Sequence, residues 1–432
     1  MPRLKLDKSH ALYERALKSI PLASQTFSKS AMQHVFGASP LFLDRGRGAL
    51  VWDVDGNEYV DYILGLLPVV LGYADPDVDA AIRAQLDRGI SFSLATELEV
   101  ELAERLVRII PCAEMVRFAK NGSDVTSAAI RLARASTGRE RVILCGYHGW
   151  HDWYIGTTTR HLGVPEAVRN LSVTVPFNAL DPVADMLRKD PSGVAAIILE
   201  PAGATPPAPG YLEGLRALAD QYGVVLVFDE IVTGFRIDLG GAQKYYGVTP
   251  DLACFGKAMG NGMPISAIVG RRGIMRWMED IFFSGTFGGE ALSLAAGIAT
   301  IDKLERENVV PRLHAAGARI AEAVGTALKE RGLHERFSVG GPAWWPRLVL
   351  REGGETPAAI VTSLLRQELV ANGVLIGPTF NLCLAHDDRA VLQRTVSGVR
   401  GAFASLASAL AAKDPSSHLR GKPIEPVFKV RA

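Results

Sequence analysis

The chain has few cysteines and almost no net charge, and each of these features excludes some classes of protein. Four cysteines occur in 432 residues, and none belongs to a CxxC pair. This usage is typical of small buried residues in a reducing compartment, so neither a disulfide framework nor a metal site is expected. A net charge of +1 does not predict binding to nucleic acid or to an acidic membrane surface by electrostatic attraction.

Long apolar runs are also missing. Runs such as residues 195–199 have the length of a strand and fall far short of the ~20 residues of a membrane span. The first twenty residues mix charged and apolar side chains and lack the apolar core and cleavage site of a secretory signal. With 48% hydrophobic and 22% charged residues, the composition is that of a soluble globular protein. We therefore expect a cytoplasmic protein.

Three stretches of the chain differ in pattern. Residues 1–75 contain a helical start and a hairpin signal at Asp55-Gly56-Asn57. In residues 76–309, short apolar strands alternate with helices, which predicts a large domain with a mostly parallel sheet between layers of helices. Residues 310–432 predict a smaller α+β domain to which the N-terminal segment contributes. The expected fold class is α/β.

Several polar residues follow the strands expected in the middle stretch. These strands are predicted at residues 116–119, 142–145, 196–199, 224–228, 252–255 and 267–269, with helices at 97–110, 124–135 and 290–306. Ligands of such sheets bind beyond the carboxyl ends of the strands. We therefore expect the residues that follow the strands to converge, namely Asn121, Tyr147, Glu200, Asp229 and Lys257.

Lys257 and Asp229 have the residue types needed to hold pyridoxal phosphate. Lys257 stands between an apolar strand and a glycine-rich turn. A lysine on a surface helix would not need the backbone freedom that these glycines provide. A buried lysine loses its proton readily and can form a Schiff base, while a carboxylate can keep the pyridine nitrogen protonated. The alternatives for Asp229 are a helix N-cap or an ion pair with Arg236; Glu230 beside it is expected to be structural.

Two glycine- and hydroxyl-bearing turns could bind an anion. Residues 120–124 connect a strand to a helix, and Gly122 and Ser123 would offer N–H and O–H donors to a phosphate. Residues 284–289 form a second turn of this kind before a long helix. Each segment taken alone is equally typical of an ordinary helix cap.

Residues 146–153 combine aromatic side chains with two histidines in one loop. His148 and His151 with Asp152 could suggest a metal, but no further ligand cluster follows them in the sequence. Aromatic-rich loops more often shape pockets for organic ligands. We therefore expect Tyr147 to stack on a flat ring and Trp150 to line a pocket, with interior packing as the alternative for Trp150.

Together these motifs resemble the class III pyridoxal-phosphate-dependent aminotransferases of fold type I. Within that class the sequence is most similar to glutamate-1-semialdehyde 2,1-aminomutase and its aminotransferase relatives. The resemblance extends from about residue 12 to residue 305. It rests on WDVDGNEYVDYI (52–63), TELEVELAERL (96–106), residues 114–139, GYHGWHDW (146–153), VVLVFDEIVTGFR (224–236), residues 250–270 and GTFGGEALSLAAG (285–297).

The resemblance implies a role for each of these positions. Lys257 would form the Schiff base and move the proton, and Asp229 would pair with the pyridinium. Tyr147 and Ile231 would cover the two faces of the ring. Gly122 and Ser123 would hold the phosphate. Thr286 would reach the phosphate of a neighbouring subunit, since enzymes of this family share their sites across a homodimer.

Departures from the aminomutase pattern concern substrate recognition. Lys29 stands where the aminomutase has an arginine, and lysine lacks the planar fork that grips a carboxylate. Asn381 stands near the place of a glutamate in the C-terminal part. With Trp150, these residues are the candidate substrate pocket.

The expected activity is that of an aminotransferase, which moves an amino group between an amino donor and a carbonyl acceptor by a ping-pong mechanism. An aminomutase, a racemase or an epimerase using the same cofactor remains an alternative. A non-catalytic protein that binds the cofactor is a third, and the presence of both Lys257 and Asp229 argues against it.

Overall fold

The computed structural model describes residues 4–351 and 353–425. The start of the expected N-terminal segment and the end of the expected C-terminal domain, residues 426–432, lie outside the described residues. Thirteen strands are found in the described chain: β1 (Leu43–Arg47), β2 (Leu50–Asp53), β3 (Glu58–Asp61), β4 (Met115–Ala119), β5 (Arg141–Cys145), β6 (Ser172–Thr174), β7 (Val194–Leu199), β8 (Val225–Asp229), β9 (Leu252–Phe255), β10 (Ser266–Gly270), β11 (Phe337–Gly340), β12 (Arg347–Leu350) and β13 (Val374–Leu375).

Fourteen α-helices accompany these strands in the same part of the chain. They are α1 (Asp7–Ala16), α2 (Pro76–Leu86), α3 (Glu97–Ile109), α4 (Gly122–Thr137), α5 (Asp152–Ile155), α6 (Glu166–Arg169), α7 (Leu180–Lys189), α8 (Tyr211–Tyr222), α9 (Ala242–Tyr246), α10 (Arg272–Met275), α11 (Ala291–Arg306), α12 (Val309–Glu330), α13 (Ala358–Ala371) and α14 (Arg389–Leu410). No helix of the described residues is long and apolar enough to cross a membrane.

The described chain divides into two compact units. The larger unit consists of residues 76–310, and the smaller unit combines residues 4–75 with residues 311–425.

The larger unit is built on a seven-stranded sheet in the order β4-β10-β9-β8-β7-β5-β6. Neighbouring strands from β9 through β6 are parallel, whereas β10 runs antiparallel to both β9 and β4. Every residue of β7, β8, β9 and β10 is buried. Continuous apolar runs of this kind are expected where helices cover both faces of a sheet. The prediction of an α/β fold with a mostly parallel sheet is confirmed.

The smaller unit contains a four-stranded sheet in the order β1-β2-β3-β13 and the antiparallel pair β11 and β12. The predicted hairpin is present as β2 and β3. Asp53 shapes its turn, because Oδ1 accepts the backbone N–H groups of Asp55 and Asn57 at 3.0 and 2.8 Å. β13 then joins β3 in parallel, which brings the C-terminal part of the chain onto the N-terminal sheet.

Candidate active site

Four neighbouring strands of the large sheet place polar residues at one edge. Tyr147 follows β5, Glu200 follows β7, Asp229 ends β8 and Lys257 follows β9. These strands are adjacent in the order β9-β8-β7-β5, and their carboxyl ends point the same way because they are parallel. The sheet therefore brings together residues that are far apart in sequence.

Lys257 combines partial burial with an unusual backbone conformation. Its φ of 41° lies in the left-handed region, which side chains other than glycine rarely adopt and which needs support from the surrounding structure. Burial lowers the pKa of its amine, although the nearby carboxylates of Glu200 and Asp229 act in the opposite direction. Because its pKa is lowered, a larger fraction of the amine is neutral. The neutral amine is the form that condenses with an aldehyde.

Asp229 is buried at the end of β8 and both of its carboxylate oxygens are engaged. Oδ2 lies 2.8 Å from Nδ1 of His148. Oδ1 accepts the backbone N–H of Ile231 at 3.1 Å, which closes the turn after the strand. His148 thus supplies the hydrogen-bond partner that a buried carboxyl group requires.

His148 is held at both of its ring nitrogens. Its other nitrogen, Nε2, lies 3.1 Å from the carbonyl oxygen of Cys145. The carbonyl can only accept, so Nε2 donates to it, while Nδ1 shares a hydrogen bond with the carboxyl group of Asp229. The sequence did not identify this residue as the partner of Asp229.

Glu200 is a second carboxyl group at the same edge, and it is half-buried. Its Oε2 accepts the backbone N–H of Tyr147 at 2.8 Å. Burial raises the pKa of Glu200, as does the neighbouring charge of Asp229, while His148 and Lys257 lower it. The loop passes so closely that a Cβ on Gly146 would lie 2.5 Å from Oε2, and φ at Gly146 is +107°.

The N-terminus of α4 forms an anion cradle beside these groups. Asn121 donates its backbone N–H to Asp124 Oδ2 at 2.8 Å, which fixes the entry of the helix. The N–H groups of the first turn have no partner within a helix, so Gly122 and Ser123 can present them to a phosphate. Ser123 Oγ also accepts the N–H of Trp150 at 3.3 Å, and its own proton is left to donate.

The loop of residues 146–150 is pressed onto this cradle. A Cβ on Gly149 would lie 2.2 Å from Ser123 Oγ, and φ at Gly149 is +103°. Only glycine satisfies both conditions. Thr126 Oγ1 donates to the carbonyl of His148 at 2.9 Å and holds the loop to α4.

Ile231 lies between the cradle and the segment of Lys257. A Cβ on Gly122 would meet its Cδ1 at 3.3 Å, and a Cβ on Gly256 would meet it at 3.2 Å. Tyr147 is 49% exposed, and its ring packs edge-on against Tyr154 with a centroid distance of 5.4 Å. The site thus offers an apolar side chain and a half-exposed aromatic ring for contact with a flat molecule.

The two histidines of the loop form hydrogen bonds with different residues. His148 contacts Asp229, whereas His151 Nδ1 lies 2.6 Å from Ser127 Oγ. They therefore do not converge on one ion. Within the described ranges, no group of three or more His, Cys, Asp and Glu side chains is placed to hold a metal.

The remaining predicted residues are placed in other surroundings. Trp150 is 67% exposed in the loop of the larger unit, and Thr286 is exposed in the segment before α11. Lys29 is exposed in a short 3₁₀ turn of the smaller unit.

Asn381 is buried in the smaller unit, and its amide serves neighbouring protein groups. Oδ1 accepts from Trp345 Nε1 at 2.7 Å and from Thr379 Oγ1 at 2.9 Å. Nδ2 donates to the carbonyl of Ile63 at 2.9 Å.

The arrangement in the larger unit fits pyridoxal phosphate. A half-buried lysine amine can bond the aldehyde, a buried carboxylate can accept from the pyridine nitrogen, and a helix N-terminus can take the phosphate. Fold and site together are those of a pyridoxal-phosphate-dependent enzyme of fold type I.

Comparison with known proteins identifies the family. The pattern of the aminotransferase class-III family matches residues 32–335. The 3-aminobutyryl-CoA aminotransferase of Cloacimonas acidaminovorans is 36% identical over 414 residues, covering 94% of this chain and 98% of its own. The glutamate-1-semialdehyde 2,1-aminomutase of Roseiflexus castenholzii is 38% identical over 400 residues, covering 86% of this chain and 92% of its own. The chain belongs to the class-III aminotransferase family and is a pyridoxal-phosphate-dependent transaminase, with aminomutases among its relatives.

Solved structures agree with this assignment. The FumI protein of Sphingopyxis sp. MTA144 in its PLP internal aldimine form superposes with a TM-score of 0.87 at 28% identity, covering 95% of this chain and 99% of that one. An omega-transaminase from Sphaerobacter thermophilus superposes with a TM-score of 0.84 at 28% identity, covering 92% and 97%.

Proposed function

We propose that Lys257 is the amine that binds the cofactor and carries the proton during transamination. Its half-buried position and lowered pKa support this role, since a neutral amine can accept a proton from a substrate carbon. The position of Lys257 at a strand end beside Asp229 is the observation that carries the proposal. When bound, pyridoxal phosphate would supply the electron sink that makes the substrate proton acidic.

Asp229 would hold the pyridine nitrogen in its protonated state. The carboxylate is fixed by His148 on one oxygen and by the N–H of Ile231 on the other, and each oxygen has a further lone pair for an N–H donor. These two contacts hold the carboxylate in one orientation in a buried place. Such preorganised charge acts at the reacting centre without reorganisation during the reaction.

Gly122, Ser123 and Thr286 would bind the phosphate, with Tyr147 and Ile231 on the faces of the ring. Backbone N–H groups at the start of α4 and the Ser123 hydroxyl support the first two assignments. Thr286 would act from a second copy of the chain. We further propose that Lys29 and Trp150 meet the substrate, and that Asn381 does so through the Trp345 ring that it holds.

The amino donor that we propose is an amine whose reacting carbon bears no free carboxylate. Lys29 in place of an arginine supports this class, because lysine cannot grip a carboxylate with two parallel hydrogen bonds. The names of a 3-aminobutyryl-CoA aminotransferase and an omega-transaminase among similar proteins support the same class.

A donor panel tests the proposal directly. The holoenzyme would be mixed with single donors, and conversion of the cofactor to its pyridoxamine form would be followed by absorbance. Amines and β-amino compounds should convert the cofactor faster than α-amino acids of similar size. Faster conversion by α-amino acids would contradict the proposed donor class and leave the transaminase activity intact.

An aminomutase is the second candidate, because one similar protein is a glutamate-1-semialdehyde 2,1-aminomutase. A mutase isomerises a single substrate and consumes no donor. Turnover of glutamate 1-semialdehyde by the enzyme alone, without an amino acceptor, would favour this candidate over an intermolecular transaminase.

We also infer that two copies of the chain form a homodimer. Large apolar side chains are exposed next to the Thr286 segment: Ile90, Phe92, Leu94, Phe282 and Phe287. We call these five residues the apolar patch. Its two parts are neighbours, because the N–H of Ala291 donates to the carbonyl of Ile90 at 2.9 Å. Leu94 and Phe282 are 85% and 82% exposed, and burial by a second copy would remove this area from water.

A cytoplasmic location is supported by the cysteines. All four are free and buried, as expected of a protein kept in a reducing compartment. Fractionation of cells that produce the protein would test the location.

A further inference from the structure

A second cavity lies behind the loop that carries Tyr147 and His148. It measures about 300 Å³ and is separate from the proposed cofactor site. One wall is a face of α4 with residues spaced at helical intervals, and the other wall is formed by His151, by the start of α5 and by α6. The lining residues are Ser127, Ile130, Arg131, Arg134, His151, Asp152, Trp153 and Val168.

Two arginines give the cavity an excess of positive charge. Neither Arg131 nor Arg134 forms an ion pair with a carboxylate in the described part of the chain. Arg131 donates to the carbonyl of Phe282 at 2.8 Å, and Arg134 Nε donates to the carbonyl of Glu140 at 2.8 Å. Each guanidinium has five N–H donors, so several remain for a ligand. Burial lowers the pKa of Arg134, with the charge of Glu140 opposing it, which indicates a cation short of compensation.

Ser127 orients His151 as a third donor. The indole N–H of Trp153 donates to Ser127 Oγ at 2.8 Å, and Oγ lies 2.6 Å from His151 Nδ1. Ser127 Oγ has two lone pairs and one proton, so it can accept from the indole and either accept from or donate to Nδ1. In the tautomer in which the hydroxyl donates to Nδ1, the ring proton of His151 is on Nε2, where it can serve a ligand. The exposed carboxylate of Asp152 lies at the same cavity and is outnumbered by the two guanidinium groups.

We propose that this cavity binds a phosphate group, free or as a monoester, with Arg131, Arg134 and His151 as donors. Guanidinium groups match phosphate oxygens by paired, charge-assisted hydrogen bonds. The bound group would stiffen the far end of the loop whose near end holds Asp229 through His148. It would also stiffen the segment before Thr286, since Arg131 is bonded to Phe282. The site is independent of the proposed donor class.

Binding can be measured on the holoenzyme after dialysis to remove excess cofactor, so that the cofactor phosphate occupies its own cradle. Inorganic phosphate and glycerol phosphate would be titrated while the fluorescence of the tryptophans is followed, with sodium chloride at equal ionic strength as the salt control. Arg131→Gln and Arg134→Gln should each weaken binding at least about tenfold. Arg188→Gln, which removes an exposed arginine from α7, should leave binding unchanged.

The outcomes separate the proposal from general salt effects. Tighter binding of glycerol phosphate identifies a monoester as the ligand, and equal binding identifies the free anion. An equal response to chloride, or unchanged binding in both Arg131→Gln and Arg134→Gln, would overturn the proposal. Arg131 is exposed, so its variant remains informative even where replacement of half-buried Arg134 impairs folding.

Discussion

His148 Nδ1 lies 2.8 Å from Asp229 Oδ2, and its Nε2 lies 3.1 Å from the carbonyl of Cys145. The imidazole is thus held at both ring nitrogens. The side chain that orients Asp229 comes from the loop after β5, two strands away in the sheet. Predictions for both partners follow from this geometry.

Asp229→Asn should slow transamination by about 10²-fold or more, because an amide cannot hold the pyridine nitrogen protonated. Folding should be retained, since the amide oxygen can still accept the N–H of Ile231. Single-turnover rates with a good donor measure the effect. A near-normal rate would place the partner of the nitrogen elsewhere.

His148→Asn should lower the rate less than Asp229→Asn, because it removes the ring that orients the carboxylate and leaves the carboxylate itself. The double variant should be little slower than Asp229→Asn alone, since the two residues act as one unit. Rates of the two single variants and the double variant form the measurement. Fully additive losses would show that His148 acts independently of Asp229.

Lys257→Ala should abolish the linkage to pyridoxal phosphate that borohydride fixes. Mass spectrometry of the reduced protein after proteolysis would locate the cofactor on Lys257 in the wild type. Lys244→Ala, which removes an exposed lysine of the larger unit, should leave the linkage unchanged. Trapping of the cofactor by the Lys257→Ala protein would sink the assignment.

The lowered pKa of Lys257 predicts early labelling of its amine. A group whose pKa is lowered loses its proton at a lower pH, so the reactive neutral form is reached sooner as pH rises. In the cofactor-free protein, reductive methylation of Lys257 by a small aldehyde should therefore rise at lower pH than that of Lys244. Peptide mass spectrometry across a pH series gives both curves, and coincident curves would contradict the prediction.

His34 in the smaller unit predicts a loss of stability in mild acid. Burial, with help from the charge of Arg366, lowers the pKa of His34 to about 4. The native state therefore favours the neutral ring. The stability that the neutral ring contributes is fully present above the pKa of the unfolded chain, about 6.5, and is lost as the pH falls toward about 4. Between pH 7 and pH 5 the loss is roughly 2 kcal/mol. Urea unfolding of wild type and His34→Gln over this range measures it, with exposed His334→Gln as the control.

Phe287→Asp should convert the proposed homodimer to monomers, because a carboxylate in an apolar interface loses its hydration without a partner. Light scattering after size exclusion measures the mass. Leu162→Asp introduces the same charge at a fully exposed position outside the apolar patch and should leave the mass unchanged. An unaltered dimer of Phe287→Asp would move the interface to another surface.

The strands of the large sheet were predictable because their apolar runs are bounded by turns, and six of its seven strands were expected. β6 was missed, since its three residues contain a single apolar side chain. The antiparallel direction of β10 was not foreseen. Residues 256–265 connect β9 to β10, and such a link is too short for the crossover that parallel strands require.

Within the site, the sequence placed Lys257 and Asp229 at neighbouring strand ends, but the role of His148 depended on geometry. Its direction is fixed by a loop with left-handed glycines at Gly146 and Gly149, which no periodic pattern describes. Asn381 shows the same limit. Its amide binds Trp345, Thr379 and Ile63, partners brought together by the fold of the smaller unit.

Gly149 also sets the terms for changing the donor range by protein engineering. A methyl group at this position would collide with the Ser123 hydroxyl, so even Gly149→Ala would push the loop off the start of α4. Trp150, one residue further on, is 67% exposed and meets no such constraint. A library that randomises Trp150 and keeps Gly149 fixed could therefore be screened for new substrates, because the contact of the loop with the start of α4 would be kept.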